Sequence, residues 1–172
     1  KVEIINHPLV RLILSMLDIF ISNWSYEAVF SYLKTGLTGL DRNDADILEN
    51  YVLACGIRGS RWTSEHYWDM RPGLLPGESD PAKHKEQLEE INRIRFQVTR
   101  GLLEFRRKTQ GRRKAEEICA ALYDFLCTEG IPGRIEKQAD ELRKKGKLSL
   151  ANEYSQVWNI VMDVLDQAVE VI

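Results

Sequence analysis

Apolar residues recur at three- and four-residue spacing through most of this chain, the period of helices that bury one face. Leu9, Leu12, Ile13, Met16, Leu17 and Phe20 follow His7-Pro8, and Pro8 suits the first turn of a helix because its missing N–H has no partner to lose there. Ser25 predicts the N-cap of a second helix running to Lys34, with Val29, Phe30 and Leu33 inward and Gly36 as its stop. Asp41 to Asn43 predict the start of a third, with Ile47, Leu48, Tyr51 and Val52 as its buried stripe and Gly56 as its end. A long helix is expected from about Pro81 to Thr109, with Leu88, Ile91, Val98, Leu102 and Phe105 on one face. Another is expected from about Arg112 to Thr128, then a short charged helix from Pro132 to Lys145. The last begins near Ser149 and repeats Ala151, Tyr154, Trp158, Val161, Leu165, Ala168 and Ile172, a stripe widened by Val157, Val164 and Val171. No strand alternation interrupts this pattern. The fold class it predicts is all-α, an irregular helical bundle of about six or seven helices.

One stretch breaks the rhythm. Residues 57–82 carry Gly59, Gly73 and Gly77 with Pro72, Pro76 and Pro81, and read as a long surface loop, with one helical turn near Ser64 to Asp69. At its start, Arg58, Gly59, Ser60, Arg61 and Trp62 set planar cations and an indole together. That combination can stack on a base and grip phosphate, or Trp62 can plug the core while the arginines pair with Glu65 or Asp69. Trp24 and Trp158 fall at core spacing and are expected to pack.

Charge sharpens the picture. The net charge of −2 conceals three blocks. Residues 58–114 hold 14 basic and 8 acidic side chains, while the flanking thirds are both acidic. Within the basic block, Arg106, Arg107, Lys108, Arg112, Arg113 and Lys114 surround Gln110-Gly111 at a predicted helix–helix corner. Such a corner can meet a DNA backbone without reading sequence, or can be a solvated junction that complements helix C-terminal carbonyls. The cations from Arg143 to Lys147 read as a solvated helix end. Cys55, Cys119 and Cys127 form no C-x-x-C pair and fit a reducing, cytoplasmic setting. The most apolar run, Leu9 to Ile21, is interrupted by Arg11, Ser15 and Asp18, so no membrane span is expected.

Catalytic constellations are not legible. Gly146-Lys147 lacks the upstream glycine and the following Ser or Thr of a phosphate-cradling loop. No Asp or Glu has lysine two positions on, a pairing by which metal-dependent nucleases converge carboxylate and ammonium on a phosphate. His7, His66 and His84 are scattered; His7 reads as a helix-entry residue and the others as solvated loop or helix-start residues. No metal site and no cofactor are expected within the chain.

Blocks along nearly the whole sequence resemble the AddB subunits of bacterial AddAB helicase-nucleases, and they occur in the same order. They are Asn6 to Val10, Asn23 to Phe30 with Lys34-Thr35, Leu48 to Thr63, Ala115 to Leu126, Gly130-Ile131-Pro132 and Gln156-Val157-Trp158. Residues 70–110 contribute least. The resemblance implies a single helical accessory domain (2B-type) over residues 1–172, excised from the helicase-like half of a larger subunit. It implies a parent that partners the AddA helicase-nuclease subunit, binds duplex ends and participates in Chi recognition. The ATP, magnesium and iron–sulfur cluster of that complex would be held outside this stretch. The expected role is non-catalytic: scaffold, with DNA contact through Arg58, Arg61, Trp62, Arg106, Arg107, Arg112, Arg113 and Lys114, or contact with AddA. The alternative is a protein-interaction module that meets no DNA.

Overall fold

A computed structural model of the chain describes residues 4–71 and 80–170. Among these, seven α-helices and no strand are present. They are α1 (Pro8–Ile21), α2 (Tyr26–Leu33), α3 (Arg42–Cys55), α4 (Pro81–Thr109), α5 (Ala115–Thr128), α6 (Ile131–Lys144) and α7 (Leu148–Glu170), with short 3-10 turns at Ile4–Asn6 and Gly59–Trp62. The fold is all-α.

Local chemistry sets most boundaries. The α1 cap is His7, whose Nδ1 accepts the Leu9 N–H at 3.1 Å, and Pro8 occupies the first turn. Ser25, Asp41 and Asp80 cap α2, α3 and α4 in the same way, each side chain accepting an amide N–H of the first turn. Gly56 ends α3 in a left-handed conformation, φ 63°. One predicted boundary moves: α5 begins at Ala115 rather than near Arg112. Gln110 is extended and Gly111 is left-handed, so Arg112 and Arg113 lie in the connector and Lys114 becomes the N-cap.

The helices pair in chain order, α1 with α2, α4 with α5, and α6 with α7, while α5 also touches α6 and α7 and α3 lies on α4. A single hydrophobic core joins them. Its spine is aromatic: Phe20 of α1 stacks on Phe105 of α4 at 6.0 Å, Phe105 meets Phe125 of α5 edge-on at 5.9 Å, and Phe125 reaches Tyr32 of α2 at 6.4 Å. Trp24 is buried and Trp158 packs half-buried against the core. Along α7, Ala151 and Val157 are buried, whereas Ile160, Val164 and Val169 are exposed. The stripe itself stays half-buried through Val161 and Leu165, which pack against the core, while Ile160 and Val164 turn outward beside it. No described helix is long and apolar enough to cross a membrane.

Candidate nucleic-acid interface

The expected DNA-facing residues divide between the 58–62 loop and the stretch from the C-terminal end of α4 through its connector. Gly59 of the first and Arg106 of the second both touch the end of α1. That end is a Schellman motif. Trp24 N–H bonds to Ile19 O at 2.7 Å and Asn23 N–H to Phe20 O at 3.4 Å, with Asn23 left-handed at φ 53°. Gly59 presses against this turn; a β-carbon on it would stand 3.4 Å from Asn23 Nδ2, and its own φ is +62°. Arg106 lays its guanidinium 5.8 Å from the centre of the Phe20 ring in the same helix end. The 58–61 loop and the C-terminal end of α4 thus meet the same helix end, although 48 residues separate Arg58 from Arg106.

Partners decide which cations are available. Arg107 is bound to Glu104, its Nη2–Oε1 distance 2.5 Å, and these neighbours on α4 hold the Glu104 carboxyl below its usual range. Lys108 reaches Asp124 at 3.4 Å and Arg113 reaches Glu117 at 3.7 Å while donating to Gln110 O. Arg58, Arg106, Arg112 and Lys114 are exposed, and among the described residues none of the four has a carboxylate within salt-bridge distance. Arg61 does not pair with Glu65 or Asp69; its Nη1 lies 3.5 Å from Cys55 O and 3.6 Å from Met70 Sδ. The corner is therefore half neutralised by its own acids and half open.

Trp62 is a correction. Its side chain is fully buried, stacked on Trp24 at 5.9 Å, tilted against Phe30 at 6.4 Å and met edge-on by Trp68 at 5.1 Å. The indole offers no face to a base; it plugs the core beneath the loop. The physical reason lies on α4, in two buried polar residues that the expected apolar stripe left out. Arg95 is fully buried and donates to the carbonyls of Trp62 at 3.1 Å, His66 at 2.9 Å and Arg61 at 3.1 Å, and also to Ser64 O. Its guanidinium sits 4.7 Å over the Trp68 ring, and burial draws it below the ordinary arginine value. Asn92, also buried, accepts the Trp68 N–H at 2.9 Å and donates to Trp68 O at 3.0 Å. Trp68 Nε1 completes the knot by donating to Arg61 O at 2.9 Å. Residues 57–71 are thus irregular in backbone yet pinned at Ile57, Trp62 and Trp68; residues 72–79 of the expected 57–82 loop lie outside the described residues.

The histidines separate as well. His7 is buried at the α1 cap, its ring edge-on to Tyr154 at 4.6 Å. His84 lies in the first turn of α4 as expected but is buried rather than solvated, with Nε2 unpartnered. Among the described residues no group of three or more His, Cys, Asp or Glu side chains is placed to hold a metal. Cys55 is buried, and burial raises its thiol above the usual value; Cys119 is half-buried and Cys127 exposed.

No protein-family model matches the chain. Curated proteins do. It is 66% identical over 171 residues to a protein of Acetivibrio thermocellus named as the AddB subunit of an ATP-dependent helicase/deoxyribonuclease, covering 99% of this chain and 15% of that protein. Proteins of the same name from Ruminiclostridium cellulolyticum and Clostridium botulinum (strain Loch Maree) are 53% and 42% identical, again over 99% and 100% of this chain and 15% of their own length. The chain spans about 15% of the relatives it matches. By sequence, then, it is a homologue of one segment of AddB, a subunit of the ATP-dependent helicase/deoxyribonuclease.

Proposed function

We propose that this segment is a non-catalytic, 2B-type helical accessory domain of a subunit that processes DNA double-strand breaks. In this reading it serves as scaffold and as an auxiliary contact surface for duplex DNA. The observation that carries it is a set of four exposed cations without a carboxylate partner. Arg58 precedes Gly59, which abuts the end of α1, Arg106 covers Phe20 there, and Arg112 and Lys114 lie on the connector that follows α4. Unpaired cations gathered from distant parts of a sequence suit a phosphate backbone, which is read through charge rather than base identity. The names of the relatives supply the context: a helicase/deoxyribonuclease works on DNA.

Contact with AddA, or with the remainder of the subunit, is the second reading. It is favoured by a different surface, the exposed Ile160 and Val164 one turn apart on the outer half of α7. The two readings are separable by salt. DNA binding through four phosphates gives a log–log slope of about −3.6 on duplex, because each neutralised phosphate releases counterions. A surface that meets only protein leaves labelled duplex unbound at every salt concentration. In neither reading does the chain hydrolyse ATP or DNA by itself.

A further inference from the structure

At the opposite end of α4 from the basic corner, its first turns and α3 leave a hollow of about 990 Å³. Ile47, Tyr51 and Ala54 of α3 line it, together with Leu88 and Ile91 of α4 and Met70 of the pinned loop. Tyr51 and Ile91 are buried, Ile47 and Leu88 half-buried, and Ala54 and Met70 exposed. Apolar surface thus runs without a break from the core out to solvent.

Charge is sorted around this hollow. Glu86, Glu89 and Glu90 line it, whereas Lys83 and Lys85 on the same turns of α4 do not, nor does Arg71 beside Met70. Arg93 lines it too, but its guanidinium is already held by Asp44 at 3.0 Å and Glu90 at 2.6 Å. Glu86 and Glu89 are exposed and, among the described residues, have no cation within salt-bridge distance. His84 stands in the same wall, 8% exposed, and its Nε2 has no hydrogen-bond partner. Native interiors rarely leave such a nitrogen unbonded.

We propose that this hollow seats a helix of a partner polypeptide, apolar on the face it inserts and basic along its edges. The lined stretch of α3, from Ile47 to Ala54, is about two turns long. A helix laid into a groove of that length anchors itself through side chains at i, i+4 and i+7. The unpaired glutamates select the charge beside those anchors: lysine or arginine pairs with them, and an acidic helix is repelled. The same rim repels a phosphate backbone, so this surface is separate from the basic corner and does not rest on the DNA reading. It is distinct as well from the exposed side of α7.

The test uses fluorescence anisotropy with a labelled amphipathic peptide of about four helical turns, leucines at i, i+4 and i+7 and lysines on the flanks. A second peptide carries glutamates in place of the lysines, and a third scrambles the first. The chain is expected to bind the lysine peptide about tenfold more tightly than the scrambled one, and the glutamate peptide not measurably. Ala54→Trp, at an exposed helix position, fills the hollow and should weaken the lysine peptide about tenfold. Glu86→Lys combined with Glu89→Lys should reverse the preference, so that the glutamate peptide binds and the lysine peptide does not. That gain of binding also shows the variant to be folded. Equal affinity for the lysine and scrambled peptides, undiminished affinity in Ala54→Trp, or no binding at all overturns the proposal. A wild-type dimer in sedimentation that Ala54→Trp converts to a monomer overturns it in favour of a second copy of the chain.

Discussion

The Nε of Arg95 donates to the carbonyl of Trp62 at 3.1 Å, across 33 residues of sequence, and this bond explains why the loop after α3 is a structural plug. A guanidinium has five N–H donors and no acceptor, so a buried one needs a cage of carbonyl oxygens. The backbone from Arg61 to His66 curls around Arg95 and supplies it. In return, irregular backbone that no helix could satisfy has its carbonyls bonded.

Replacing Arg95 should therefore cost far more than an ordinary cation would. Arg95→Met keeps much of the apolar stem but leaves the carbonyls of Arg61, Trp62, Ser64 and His66 without their donor. Urea unfolding is expected to show a loss of about 3–5 kcal/mol, the scale of breaking a buried charged hydrogen-bond set. Arg95→Lys should recover only part of it, since an ammonium cannot span the same fork. A loss below about 0.5 kcal/mol in Arg95→Met would mean that the loop holds itself.

Trp62→Ala removes the largest fully buried side chain. Its expected signature is a stability loss of about 3–5 kcal/mol from cavity formation. Duplex affinity measured on the folded fraction should stay unchanged. A variant that melts like the wild type but loses DNA would restore the stacking role that burial argues against.

Acid should weaken the fold through His7. Burial lowers its pKa from the ordinary 6.5, opposed by the nearby Glu153 carboxylate. The cap favours the same neutral form, because Nδ1 accepts from Leu9 N–H and can do so only while unprotonated. The folded state thus holds its proton less tightly than the unfolded chain. The stabilising contribution is complete above about pH 6.5 and is lost as pH falls through the lower folded value. Glu129, half-buried and raised above its ordinary carboxyl value by burial, works in the opposite direction at lower pH. In His7→Asn the cap acceptor survives and the titration does not. Its stability between pH 7 and 5.5 is expected to be flatter than the wild type's, and parallel curves would clear His7.

Most of the fold was legible because helix stripes and caps are local. Ser25, Asp41, Gly56 and the long helix ending at Thr109 need only neighbouring residues to declare themselves. The identity of the plug was not local. Arg58-Gly59-Ser60-Arg61-Trp62 has the composition of a nucleic-acid loop, and only the approach of α4 turns its indole inward. One signal was present: Arg95 falls on the stripe of Ile91, Val98 and Leu102, a position at which a charged residue must find partners. The sharing-out of the basic corner was half legible. Arg107 with Glu104 and Arg113 with Glu117 are local pairs at three- and four-residue spacing, whereas Lys108 meets Asp124 only through the packing of α4 on α5, of which the run carries no sign. Nor does any sequence spacing bring Arg58 to the turn that Arg106 covers.

The most direct test of the account is the salt dependence of duplex binding by the chain and by its triple variant Arg106→Ala, Arg112→Ala, Lys114→Ala. All three side chains are exposed, so circular dichroism should match the wild type, with melting lowered only by loss of the Arg106 contact with Phe20. The wild-type log–log slope is expected near −3.6 and the variant's near −0.9, since three of four phosphate contacts are removed. A control in which the acid-paired Arg107 and Arg113 are replaced should shift the slope by less than one. A triple variant that binds duplex with the wild-type slope would contradict the account, and the corner would then be a solvated junction of a purely protein-facing scaffold.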